Sequence, residues 1–307
     1  MTETRERRPF RFGVVFTGLT DATQWPDLAR RLEHSGFSTL LVADHYTNAM
    51  ACTPLLMAAA SATTTLRIGS YVYNNDFRHP ALLAKEAATI DVLSGGRFEL
   101  GVGAGWFKSE YDQVGLAFDP PAVRADRFEE AVDVIQRLLR GERVQHDGTH
   151  YRLDGLAGSP RPVQEPVPLL IGGGGPRMLR FAARAADIVA FVPRALPAGG
   201  LDPADFALAP MDGKIARLEQ AVTDSGRADG GPERSLLIFG FVDAQGVASD
   251  PRLPAEFSGA SPYGLMGDPA AMAELLLERR ERWGFTYYVC FARDLDRFTP
   301  VVRHLLA

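Results

Sequence analysis

Short apolar runs of strand length alternate along this chain with longer segments whose apolar positions recur at helical spacing. The strand-like runs are 10–17, 37–44, 66–73, 97–102, 168–172, 187–192, 235–242 and 285–291. The helix-like segments that separate and follow them are 25–35, 54–63, 81–93, 123–139, 177–185, 213–223, 270–283 and 295–305. Eight strands, each followed by a helix, is the count of a single α/β domain, the (β/α)8 or TIM barrel. Local punctuation agrees. Thr53 precedes Pro54 as an N-cap before a first-turn proline, and Gly36 and Gly284 stand where helix C-caps belong. The rival is an open doubly wound sheet with a second domain, but no linker or shift of composition divides the chain.

Three stretches exceed a minimal barrel: about 145–167, with hairpin character in DGTHYRLDG, then 194–212 and 245–267. All three are expected as loop insertions at the C-terminal face of the strands, where barrels keep their substrate loops. Residues 1–9 read as a flexible tail and 10–307 as one domain.

Composition narrows the function. A net charge of -5 without a basic stripe argues against a nucleic-acid partner, and no apolar run approaches a membrane span. The first residues lack the features of an export signal, so a cytoplasmic protein is expected. Cys52 and Cys290, the two cysteines, are too few for a disulfide framework or a thiolate metal site, and no metal is expected.

Candidate chemistry collects at strand ends. LLVADHYTN places Asp44 and His45 at the exit of the second strand, where an imidazole can exchange a proton or bond a heterocycle. SGGRFELGVGAGW ends the fourth strand in Gly103, Ala104, Gly105 and Trp106, small residues against which a planar ligand can lie. GGGGPRML runs from Gly172 through Gly173, Gly174 and Gly175 into a helix that includes Arg177 and Met178. Uncovered amides at a helix N-terminus favour a phosphate. Glu129 and Glu130, beside Arg127, read as a solvated helix face. His146 and His150 lack a third metal ligand.

In this order, ADHY at 43–46, RIGSYVYNNDFRHP at 67–80, SGGRFELGVGAGW and LLIGGGGPRML resemble the bacterial-luciferase-like superfamily of flavin and deazaflavin barrels. Within it the chain looks most like oxidoreductases that use the deazaflavin coenzyme F420. The resemblance implies that Asp44 and His45 lie beside the cofactor ring, with His45 as proton donor or acceptor. It implies that Ser70, Tyr71 and Val72 form a bulge against one ring face, with a non-proline cis peptide at or within one residue of Ser70–Tyr71. Asn74 would follow at the ring edge. Gly172–Met178 would wrap the phosphate, with Arg177 reaching the acidic tail.

Departures bear on the substrate. A catalytic glutamate of the sugar-phosphate dehydrogenase branch is replaced by Trp106, and Lys214 is the single lysine beyond position 108. Trp106 with Phe16 and Tyr46 points instead to an apolar or aromatic-lined pocket. The reading is an F420-dependent transfer of hydride to or from a small organic substrate. The alternatives are an FMN-dependent monooxygenase fed by a partner reductase and a non-catalytic flavin-binding protein. The apolar helix 54–62 fits the homodimers common in the superfamily.

Overall fold

The structure, a computed structural model, describes residues 8–227, 230–243, 245, 248–249 and 261–306. Eight parallel strands are β1 (Arg11–Phe16), β2 (Thr39–Val42), β3 (Arg67–Ser70), β4 (Phe98–Gly103), β5 (Leu169–Gly172), β6 (Ile188–Phe191), β7 (Glu233–Ile238) and β8 (Phe285–Phe291). They neighbour one another in the order β3-β2-β1-β8-β7-β6-β5-β4. β4 pairs back onto β3 through Ile68–Phe98 and Gly69–Glu99, which closes the TIM barrel expected from the alternation.

Period-two alternation divides each strand between two cores. On β1, Phe12, Val14 and Phe16 face the helices, while Val15 joins Leu41, Leu170, Leu237 and Val289 inside the barrel. In the outer layer Phe12 is fully buried and meets Phe298 edge-to-face at 5.7 Å. Burying each such side chain contributes about 1.5–3 kcal/mol, so this layer carries much of the fold's stability. The N-terminal end of the barrel is closed by charge. Arg67 Nε bonds Glu99 at 2.6 Å, and Arg11 bonds Glu233 at 2.7 Å and also Glu99.

Among the described residues nine α-helices pack outside: α1 (Trp25–His34), α2 (Cys52–Ala62), α3 (Pro80–Ser94), α4 (Lys108–Val114), α5 (Pro121–Leu139), α6 (Pro176–Ala185), α7 (Leu208–Ser225), α8 (Pro269–Trp283) and α9 (Leu295–Leu306). Gly36 and Gly284 do stand after α1 and α8, at φ +85° and +71°. Three helices differ from expectation. The second starts at Cys52, so Thr53 is inside it and spends its hydroxyl on Tyr73 Oη at 2.7 Å rather than on a cap. The seventh starts at Leu208 and absorbs Pro210 in its first turn, where a missing N–H costs little. α4 was not expected.

The insertions also need one correction. Residues 194–212 and the described ends of 245–267 follow β6 and β7, at the C-terminal face. The first, however, follows α5, so its hairpin (Arg143–Asp147 with Arg152–Ala157) is rooted at the opposite end of the barrel. Its tip lies back along α5. Glu130 accepts from His146 Nε2 at 3.0 Å and from the amides of His150 and Tyr151. Burial works against the Glu130 charge, but these donors hold its carboxyl below the usual range. The face read as solvated is therefore a clamp. Of the expected tail, residues 1–7 lie outside the described residues, as does all of 250–260 in the third insertion.

Candidate active site

The C-terminal mouth is built around an interruption of β3. After Ser70 the chain leaves the ladder through a cis peptide between Tyr71 and Val72, then pairs again with β4 at Tyr73–Val102 and Asn74–Gly103. The position agrees with the expectation to within one residue. Ser70 does not reach into the mouth. Its Oγ donates to Gly101 O at 2.7 Å and accepts from Gly101 N at 3.0 Å, stapling the bulge to β4.

The glycines at the strand ends accommodate this bulge. A Cβ on Gly101 would lie 2.0 Å from Ser70 O, and one on Gly103 would lie 2.8 Å from Val72 Cγ2. One on Gly172 would stand 3.3 Å from Val72 Cγ1. Val72 thus fills the floor between β4 and β5, and Tyr71 is buried beneath it among the barrel-interior residues. The space these glycines leave is occupied by the chain's own bulge, and the bulge is what a planar ligand would meet. Gly105, at φ +76°, is required by Tyr111, whose hydroxyl would sit 1.9 Å from a Cβ there. Ala104 packs partly buried against the outer core.

Asp44 and Asn74 are engaged within the protein. Both oxygens of Asp44 accept from Arg78, at 2.7 and 3.2 Å, and Oδ2 also accepts from the Asn74 amide. The Asn74 side chain caps a 3-10 turn at Asp76 N and bonds Tyr111 Oη at 3.0 Å. Both residues shape the loop walls, and these bonds hold their side chains in place.

His45 is different. Its Nδ1 lies 2.7 Å from Glu110 Oε2, and among the described residues no group bonds Nε2. Glu110 comes from the unexpected α4 and is 1% exposed, and its Oε1 accepts from Thr47 N and Thr47 Oγ1, both at 3.1 Å. Trp106 and Phe107 flank the imidazole edge-to-face at 6.1 and 6.2 Å, and stack on each other at 5.2 Å. Tyr46, half exposed, lies against Phe77 at 4.3 Å on the rim. Phe16 does not join this wall. It is the last, outward-facing residue of β1, buried against Trp25 at 4.8 Å, because Val15 takes the inward position. Val192, Phe239 and Phe291 contribute the apolar mouth on the far side.

The four-glycine run leads into α6, whose N-cap, Gly175, offers no side-chain bond. Its first-turn amides therefore lack an intrahelical acceptor. A Cβ on Gly173 would collide with Met178 at 2.3 Å, and one on Gly174 with Val192 O at 2.2 Å. A Cβ on Gly175 would meet nothing within 4 Å, and its φ of -84° suits any residue. Neither packing against the described residues nor backbone conformation requires glycine there. Arg177 turns away to α5, bonding Glu129 at 2.7 Å and Asp126. On the other side of the loop a cavity of about 280 Å³ is lined by Gly174, Arg194, Lys214 and Arg217. Burial pulls the Lys214 ammonium below the usual lysine range, although Asp205 pairs with it. Among the described residues no cluster has the makeup of a metal site, and no helix is long and apolar enough to cross a membrane.

A family model described as luciferase-like monooxygenase matches residues 10–244. The chain is 33% identical over 177 residues to the 5,10-methylenetetrahydromethanopterin reductase of Archaeoglobus fulgidus, covering 58% of this chain and 51% of that protein. Against the F420-dependent glucose-6-phosphate dehydrogenase of Nakamurella multipartita it is 35% identical over 188 residues, covering 58% and 55%. It thus spans about half the length of these curated relatives. An F420-dependent secondary alcohol dehydrogenase in complex with an F420-acetone adduct shares the fold. The TM-score is 0.78 over 97% of this chain and 99% of that chain, at 20% identity. With the family match running from the first strand past the seventh, the chain belongs to the luciferase-like monooxygenase family.

Proposed function

We propose that this protein is an F420-dependent oxidoreductase acting on a small, apolar or aromatic organic substrate. The observation that carries the reading is Gly175. An uncapped helix N-terminus with a glycine that none of the described residues crowds, on the same barrel face as His45, fits the approach of a phosphate. The names of the curated relatives favour the deazaflavin over FMN.

When bound, coenzyme F420 supplies a two-electron hydride acceptor or donor at its C5 carbon. The remaining tasks fall to the chain. The amides of Gly174, Gly175, Arg177 and Met178 would hold the phosphate, Pro176 between them having no N–H to give. Arg217, on the open side of the loop, stands where an acidic tail can reach it, whereas Arg194 would have to exchange its pairing with Asp202, and Arg177 its pairing with Glu129 and Asp126. The Tyr71–Val72 bulge closes one ring face, and Trp106 with Phe107 excludes water from the other wall. His45 exchanges the accompanying proton at Nε2.

Fluorescence titration of the protein with each cofactor tests this. Coenzyme F420 is expected to bind at least about tenfold tighter than FMN, a gap of about 1.4 kcal/mol. Tighter binding of FMN, with oxygen consumed on adding reduced FMN and an organic substrate, would instead assign a monooxygenase. Binding without turnover of any organic substrate would leave a flavin-binding protein.

A further inference from the structure

Glu110 Oε2 lies 2.7 Å from one nitrogen of His45, Nδ1. A neutral imidazole has one N–H, and its location determines whether the other nitrogen presents a hydrogen or a lone pair. Glu110 Oε1 faces Thr47 N–H, a group that can only donate, and Thr47 Oγ1 as a second donor. That leaves Oε2 to accept from His45 Nδ1 at 2.7 Å. Among the described residues no other charged side chain bonds the ring. Trp106 and Phe107, on its flanks, are uncharged, and neighbouring Asp44 is turned to Arg78.

We propose that Glu110 is a positioning residue that holds neutral His45 with its proton on Nδ1. The Nε2 lone pair is then free, and the ring enters the reaction as a proton acceptor toward an O–H or N–H group of the substrate. The proton it takes creates an imidazolium whose charge is met by the buried Glu110 carboxylate, the role a buried carboxylate plays behind a catalytic histidine elsewhere. The proposal rests on the reading of His45 as the proton-exchanging group. It concerns the ring in the free protein, so its test does not depend on which cofactor binds.

The test is nitrogen NMR of protein carrying 15N-labelled histidine, without cofactor, at a pH where the rings are neutral, with His45 assigned by its loss in His45→Asn. In wild-type protein Nδ1 is expected to show the protonated signal and Nε2 the unprotonated one. Glu110→Gln conserves shape but reverses the hydrogen bond. Thr47 N–H must still meet an acceptor, so the Gln oxygen faces Thr47 and its NH2 faces Nδ1. The Nδ1 and Nε2 signals of His45 are therefore expected to exchange places. In Thr47→Val the backbone N–H remains, and the wild-type pattern is expected to persist. A purely structural Glu110 would change the melting temperature and leave the tautomer as it was. An Nε2–H ring in wild-type protein overturns the proposal whatever the variants do, and so does an unchanged ring in folded Glu110→Gln.

Discussion

Asp44 and Arg78 form a two-pronged ion pair, Oδ2 to Nη1 at 2.7 Å and Oδ1 to Nη2 at 3.2 Å, that ties the loop after β2 to the loop after β3. The guanidinium also lies 4.5 Å over the Tyr73 ring. His45 follows Asp44 directly, so this pair anchors the backbone from which the His45 imidazole hangs. Arg78→Ala would leave a mostly buried carboxylate without its partner, and a loss of about 1.5–3 kcal/mol is expected in urea unfolding. Arg78→Lys keeps the charge but not the fork, and should fall between alanine and wild type. Alanine unfolding at the wild-type midpoint would show the pair to be ornamental.

Acid stability should report on Glu33. Its Oε1 accepts from the amides of Thr64, Thr65 and Leu66 and from Thr65 Oγ1, clipping α1 to the turn before β3. Burial works against the charge, but these bonds outweigh it and hold the carboxyl at about 2, against a usual 4.5. A carboxyl depressed by folding stabilises the protein above its unfolded value and loses that contribution as pH falls through the folded one. Wild type should therefore exceed Glu33→Gln by on the order of 1 kcal/mol near pH 7, discounted for partial solvent access. The gap should close between pH 4.5 and 2. A gap that does not vary with pH would mean the carboxylate charge is irrelevant.

What was legible in the sequence, and what was not, divides along chain distance. The eight strands and the glycine-led α6 are local patterns, and each shows in a window of ten to fifteen residues, whereas the break near Tyr71 follows from the family resemblance and not from the apolar run 66–73. Glu110 is not visible that way. It sits in KSEYDQV, which looks like solvated helix, and its partner is 65 positions earlier. The commitment of Arg177 to α5 and of Asn74 to Tyr111 likewise depends on helix packing that no short window encodes. With Val15 placed inward, strand alternation alone turns Phe16 to the helices.

His45 should be needed for turnover more than for cofactor affinity. Among the described residues nothing bonds its Nε2, and Glu110 is the titratable side chain bonded to the ring. General acid–base catalysis typically supplies about 10²–10⁴-fold, so His45→Asn should lower kcat by that order with the cofactor Kd within threefold or so of wild type. Retained kcat with an unaltered pH profile would move the proton to water.

Gly174 and Gly175 are adjacent but should respond oppositely to substitution. Alanine at 174 places a Cβ 2.2 Å from Val192 O and 3.1 Å from Lys214 Nζ, so the loop must move and stability should fall. Alanine at 175 enters open space at an ordinary φ, and stability should stay within about 0.5 kcal/mol of wild type. Aspartate at 175 separates folding from binding. As an N-cap it can accept from the first-turn amides of α6 and should raise stability by a few tenths of a kcal/mol over glycine. Its charge would then occupy the place proposed for the phosphate, and cofactor affinity should drop by about tenfold or more, roughly 1.4 kcal/mol. Thermal unfolding and cofactor titration of Gly175→Asp measure the two effects on one sample. A variant that is both more stable and binds as tightly as wild type would place the phosphate elsewhere on the barrel mouth, and Arg194 and Arg217 beside the cavity would be the next positions to substitute.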